Sequence, residues 1–147
     1  MTGCKLCGYL KSYHWVKEYK HWNIGVTRAQ ATLGNLFIVL RRHENFLANT
    51  SPEEFTELHA ILKDAKRMLD NAFKPDWYNT VQLTNAEPHL HIHVIPRYKE
   101  RRAFEGKEFL DSTFGYAYTS TTTKQDEEFI RSLSEFLRQE GRKNGAD

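Results

Sequence analysis

Three histidines alternate with aliphatic residues in His89-Leu90-His91-Ile92-His93-Val94, a pattern that core packing alone does not ask for. On a β-strand, residues two apart share a face, so the three imidazoles would stand in a row about 6.5–7 Å from one to the next. Leu90, Ile92 and Val94 would anchor the opposite face in a core. A single strand histidine is usually a half-buried residue satisfied by a backbone carbonyl. Three side by side, buried without partners, would cost roughly 1–3 kcal/mol each. Either all three hold one metal, or they divide into a nucleophile and its electrostatic neighbours. Metal–nitrogen bonds are only about 2.0–2.1 Å, so the outer two stand too far apart to share an ion easily. Division of labour is favoured. A second chemical group, Cys4-x-x-Cys7, reads as half a metal site or a redox pair. A redox pair normally lies between a strand and a helix, so its place at the start of the sequence favours metal.

Several elements must position these groups. Residues 15–26 are rich in aromatic and β-branched types and read as one or two strands with a turn near Lys20-His21. Gly34-Asn35 is a turn signal. The apolar run Leu36-Phe37-Ile38-Val39-Leu40 reads as a buried central strand that runs out into Arg41-Arg42-His43. Ser51-Pro52-Glu53-Glu54 supplies an N-cap, a proline at the first helical position and a capping-box glutamate. Phe55, Leu58, Leu62, Ala65, Met68 or Leu69, and Ala72 then predict an amphipathic helix of about six turns, ended by Pro75. Residues 77–84 form a strand, and a short Asn85-Ala86-Glu87-Pro88 connection makes an antiparallel hairpin with the histidine strand. Residues 99–123 read as loop. Thr123 with Asp126 is a weaker cap for a helix over 124–140, with Phe129, Ile130, Leu133, Phe136 and Leu137 on its apolar face, and 141–147 as a frayed tail. The expectation is one α+β domain over 1–147, an antiparallel sheet with helices packed on one face.

Composition narrows the function. At 147 residues and a formal charge of +2, with acidic and basic residues mixed, there is no broad footprint for nucleic acid. No run approaches the ~18 apolar residues of a membrane span, and a cytoplasmic location is expected. With two cysteines a disulfide scaffold is not expected.

His89-φ-His91-φ-His93-φ-φ followed by Pro96-Arg97-Tyr98 resembles the histidine triad family of nucleotide hydrolases and transferases. The match spans roughly residues 4–98. The resemblance implies that His91 attacks the α-phosphate of a nucleotide conjugate, forming a nucleotidyl-imidazole that water resolves. It implies His93 as a donor to the phosphate or leaving group, and Asn85 as a contact on the phosphate or leaving-group side. An asparagine there is also an ordinary turn former. In relatives with the N-terminal cysteine pair, the remaining zinc ligands resemble His43 and His89, so the resemblance implies a structural zinc on Cys4, Cys7, His43 and His89. It also implies a small-molecule nucleotide substrate and a homodimer.

The chain departs from the family at several positions. Asn35 stands where relatives often have a histidine, and Thr27 where the ribose hydroxyls are usually held by Asp or Asn. Ile95 stands where transferases carry Gln, which favours hydrolysis over transfer. The basic run Lys99, Arg101, Arg102 reads as solvated loop, with contact to an anionic group as its functional counterpart. Three hypotheses remain open: a hydrolase working through His91, a nucleotide- or metal-binding protein with weak or lost turnover, and a zinc hydrolase using the histidine row directly.

Overall fold

The apolar run Leu36–Leu40 forms β3, buried along its whole length at the centre of a five-stranded antiparallel sheet. The computed structural model describes residues 3–144. The other strands are β1 (Lys17–Glu18), β2 (Trp22–Val26), β4 (Trp77–Val81) and β5 (His91–Arg97), in spatial order β1-β2-β3-β5-β4. Pro96 is tolerated inside β5 because β3 pairs it only as far as Val94, leaving no ladder donor missing on that side. The hairpin of β4 and β5 is as expected, although the loop between them runs from residue 82 to 90, and β4 stops at Val81 rather than 84.

Helix α2 (Pro52–Phe73) has the reciprocal capping box, with Ser51 accepting from the Glu54 amide and Glu54 from that of Ser51. It ends where Lys74 turns left-handed, φ 51°. Its buried stripe is Leu58, Ile61, Ala65, Met68, Leu69 and Phe73. Phe55, expected in that stripe, is 52% exposed. The inward position of the first turn belongs to Glu54, which pairs with Arg42. Helix α3 (Glu127–Arg142) starts later than expected, because Asp126 is itself the cap and accepts from the Phe129 amide at 2.8 Å. Residues 141 and 142 are helical rather than frayed, and Gly141 packs closely on Met68. Residues 143 and 144 form a turn after the helix, and the last of the expected tail, 145–147, lies outside the described residues.

Both α2 and α3 cover the sheet face that carries Ile24, Ile38, Ile92 and Val94. The opposite face is not bare as expected. A helix unforeseen from sequence, α1 (Lys5–Ser12), sets Leu6, Tyr9 and Leu10 against Trp15, Phe37 and Val39 there. His91 and His93 pair with Val39 and Phe37 and share this face. So does Arg97, whose guanidinium makes a two-pronged ion pair with Asp111, side chains 3% and 2% exposed, at 2.7 and 3.1 Å. That pair, with the Arg97 bonds to the Thr113 and Tyr116 carbonyls, fastens the chain after residue 110 to the far end of β5. The expected loop also contains a hairpin, β6 (Arg102–Phe104) and β7 (Lys107–Phe109), turned by Glu105 and Gly106 at φ 48° and 78°. Within the basic run, Arg102 holds the carbonyls of Phe73 and Lys74, stapling the end of α2. Lys99 and Arg101 are exposed.

Candidate functional site

The three histidines do not form one row. His89 and Leu90 precede β5 proper, and the His89 ring turns towards the cysteines, while His91 and His93 stay together with ring centroids 5.3 Å apart. His91 Nδ1 lies 2.7 Å from the His89 carbonyl oxygen. A carbonyl can only accept, so Nδ1 carries the proton and the Nε2 lone pair is left free. His93 is held neutral near pH 7: burial first, and then the neighbouring His91, lower its pKa to about 4.

Both rings line a cavity of about 270 Å³, walled by Tyr9 and Tyr13 of the N-terminal segment, Phe37 of β3 and residues 27–29 after β2. Thr27 gives this wall no free hydroxyl. Its Oγ1 donates within the loop towards the Ala29 or Asn35 carbonyl, at 2.8 and 3.1 Å, and accepts from the amides of Asn35 and Gln30 at 2.9 and 3.1 Å. With Gln30 also accepting from the Gly34 amide, Thr27, Gln30 and Asn35 form a buried brace for the turn into β3. Asn85 is exposed on the 82–90 loop and is not brought to the cavity, whereas its neighbours Ala86 and Glu87 are. The tyrosines, Arg28 and Lys124 were missed in sequence. Leu6, Tyr9, Leu10 and Tyr13 recur at helical spacing and could have revealed α1.

Cys4, Cys7, His43 and His89 meet on the other side of β5's start, with all four donor atoms within 4.8 Å of one another. His89 Nδ1 is 3.3 Å from Cys4 Sγ and 3.5 Å from Cys7 Sγ, and His43 Nδ1 is 3.4 Å from Cys7 Sγ. The group could hold a metal ion. His89 Nε2 donates to the Leu40 carbonyl at 2.7 Å, which leaves Nδ1 as its ligating lone pair. Burial lowers the pKa of His89, favouring the neutral, ligating form. Burial first, and then Cys4, raise that of Cys7; a bound cation would work in the opposite direction.

Arg42 anchors the approach of His43. Its Nε and Nη2 donate to Glu54 at 2.7 and 3.0 Å, tying the exit of β3 to the cap of α2. This pairing, more than the opposing cost of burial, holds Glu54 at about 2. A carboxylate whose pKa is lower folded than unfolded adds stability above its unfolded value, near 4.3, and loses it as the pH falls towards 2. Glu54→Gln should therefore cost roughly 1–3 kcal/mol in denaturant melts at pH 7, and the difference from the parent chain should shrink between about pH 5 and pH 2. A constant difference across that range would contradict the ionic role of Glu54.

Residues 20–100 match the family model described as HIT domain. The chain belongs to the HIT domain family, whose histidine triad the β5 segment carries. No curated protein matches the chain in sequence. Among solved structures it is similar to a hypothetical histidine triad nucleotide-binding protein from Sulfolobus tokodaii, with TM-score 0.70, 17% identity, and coverage of 94% of this chain and 91% of that one. A Zn-bound histidine triad family protein from Mycobacterium smegmatis matches at TM-score 0.66 and 18% identity over 95% of this chain and 93% of its own. The Plasmodium falciparum diadenosine triphosphate hydrolase, solved in complex with cyclomarin A, gives TM-score 0.66 and 12% identity over 87% of this chain and 76% of its own. At these identities the structural likeness speaks for the α+β fold.

Proposed function

We propose that the chain is a nucleotide hydrolase that cleaves at the α-phosphate of a nucleoside phosphate conjugate, a dinucleoside polyphosphate or a nucleoside phosphoramidate, through a nucleotidyl-His91 intermediate. The observation that carries this reading is the His91 Nδ1 to His89 carbonyl bond at 2.7 Å. It presents the Nε2 lone pair at a cavity large enough for part of a nucleotide. In the first step Nε2 forms a bond to the α-phosphorus while the bond to the leaving group breaks, its electron pair departing with that group. Water then attacks the phosphorus and gives up a proton to solvent, the P–N bond breaks, and the electron pair returns to Nε2. Neutral His93 supplies one N–H, directed at a phosphoryl oxygen or the leaving atom. Asn85 would reach the leaving-group side only if the 82–90 loop closed over the substrate.

The metal is proposed to be zinc with a structural role. Four donors placed tetrahedrally about 2.0–2.3 Å from such an ion stand roughly 3.3–3.8 Å apart. Three of the four sulfur–nitrogen separations here are 3.3 to 3.5 Å, with all four donors within 4.8 Å of one another, and two cysteines with two histidines are a common zinc donor set. The Zn-bound mycobacterial relative supports the same reading. With all four positions taken by protein, the ion would have no open site for substrate, which disfavours a zinc hydrolase.

One observation favours a second reading, a HIT protein that binds nucleotide with weak turnover: the Thr27 hydroxyl is spent within its own loop. A turnover screen of dinucleoside polyphosphates and nucleoside phosphoramidates, followed by chromatography of released nucleoside monophosphate, separates the two. Hydrolysis of at least one class supports the enzyme. Saturable binding with no release supports the second reading.

A further inference from the structure

A second cavity, of about 670 Å³, lies at the β1 edge of the sheet, walled by residues 13–18, by Arg67 and Met68 of α2 and by the end of α3. Its volume falls within the ~300–1,000 Å³ of small-molecule sites. Nothing in the histidine chemistry uses it. Four cations line it, Lys17, Arg67, Arg138 and Arg142, against one carboxylate, Glu18. Asp64, outside the lining, is shared by Arg67 at 2.9 Å, Lys17 at 3.9 Å and the Tyr19 hydroxyl at 2.7 Å. With Asp64 counted, positive charge is still in excess.

Two of the guanidinium groups are fixed in place by the chain. Arg138 donates from Nε to the Val16 carbonyl at 2.8 Å and from Nη2 to the Trp15 carbonyl at 2.7 Å. Arg67 donates from Nε to the Gly141 carbonyl at 3.0 Å and from Nη2 to Asp64 at 2.9 Å. In both, one edge of the guanidinium is engaged, and among the described residues Nη1 has no protein partner. A guanidinium carries five N–H groups in a rigid fork, so each arginine keeps donors in a set position for a ligand. The carbonyls that hold Arg138 leave its charge unneutralised. Lys17 and Arg142 are exposed at the rim.

We infer that this cavity is a second binding site, for a small phosphate-bearing anion. Planar N–H pairs suit phosphate because they meet two of its oxygens with charge-assisted bonds. A phosphate monoester and free phosphate present the same oxygens. The site lies on the α2 and α3 side of the sheet, opposite the histidines, and Tyr13 is the one lining residue that the two cavities share. Binding here is therefore independent of the nucleotidyl-His91 reading.

The test is a titration of the intact, isotope-labelled protein followed by NMR, with orthophosphate, with glycerol 3-phosphate, and with sodium chloride at matched ionic strength. Both phosphates should give saturable shifts at the Arg67 and Arg138 Nε–H groups and at the Trp15 and Val16 amides, with Kd below about 1 mM. Tighter binding of glycerol 3-phosphate assigns the site to monoesters, and equal or weaker binding assigns it to free phosphate; either supports the inference. Arg138→Gln should weaken binding at least about tenfold. Because Arg138 also holds residues 15 and 16, a second variant combines Lys17→Gln with Arg142→Gln, whose side chains hold no backbone group among the described residues. It should weaken binding about tenfold with the fold intact. Shifts confined to the surroundings of His91 and His93, the same shifts with chloride, or unchanged affinity in both variants would overturn the inference.

Discussion

His91→Ala is expected to lower kcat by roughly 10⁴-fold or more on whichever nucleotide conjugate the parent protein hydrolyses. The expectation follows from the order of groups on β5. Only His91 combines exposure to the cavity, a proton fixed on Nδ1 by the His89 carbonyl and an Nε2 without a protein partner. His93, held neutral by burial and by its neighbour His91, is assigned the N–H donor role. Without the imidazole, water would have to attack the α-phosphorus directly, and the two-step path would be lost. Steady-state kinetics measures the effect, with a thermal melt of the variant to show that it folds. A loss below about tenfold in a folded variant would remove His91 from the nucleophile's role.

Removal of the metal should have the second largest effect, and it should reach both stability and activity. The proposed ion ties α1's start to the exit of β3, through His43, and to the entry of β5, through His89. These segments are 36 and 85 positions apart in sequence from their cysteine partners. Chelation, or Cys7→Ser, should therefore lower the thermal midpoint by about 10 °C or more, since about 1 kcal/mol corresponds to 2–4 °C in a domain of this size. Activity should fall about 10–100-fold even where the fold survives, because the peptide of His89 carries the oxygen that orients His91. Metal analysis gives the occupancy, expected near one zinc per chain. Since thiolates and neutral imidazoles are the ligating forms, zinc should be released as the pH falls. If exhaustive chelation changes neither the melt nor the rate, the cluster has no structural role.

Much of this was legible in sequence where one strong local signal decided the outcome. The unbroken apolar run of β3, the capping box of α2 and the alternation of β5 each meet a single physical demand, and each element formed within a few residues of its expected place. The division of the histidines was legible only in part. Alternation put His91 and His93 on one face. It did not show that His89 lies before the strand, where its ring can turn to the cysteines. Less was legible where tertiary contacts decide. Tyr9 and Tyr13 are ordinary aromatics until α1 lays them beside the histidines, and Lys124 is a surface lysine until the bridge to Ala29 brings it to the cavity. The Glu105-Gly106 turn was hidden because glutamate rarely adopts positive φ, so the short strands on either side lacked their usual marker. Thr27 and Asn35 looked like losses from a nucleotide site. In the fold they are partners, bracing the loop that shapes the cavity wall.

The most direct test of the central claim is to trap the intermediate. The protein is mixed with a labelled adenylyl phosphoramidate or dinucleoside polyphosphate, quenched without acid, and digested, and the labelled peptide is sequenced by mass spectrometry. Label is expected on the peptide spanning β5, localised to His91 and absent from His91→Ala. Turnover by the parent protein with no label on any histidine, retained in full by His91→Ala and abolished by chelation, would contradict it.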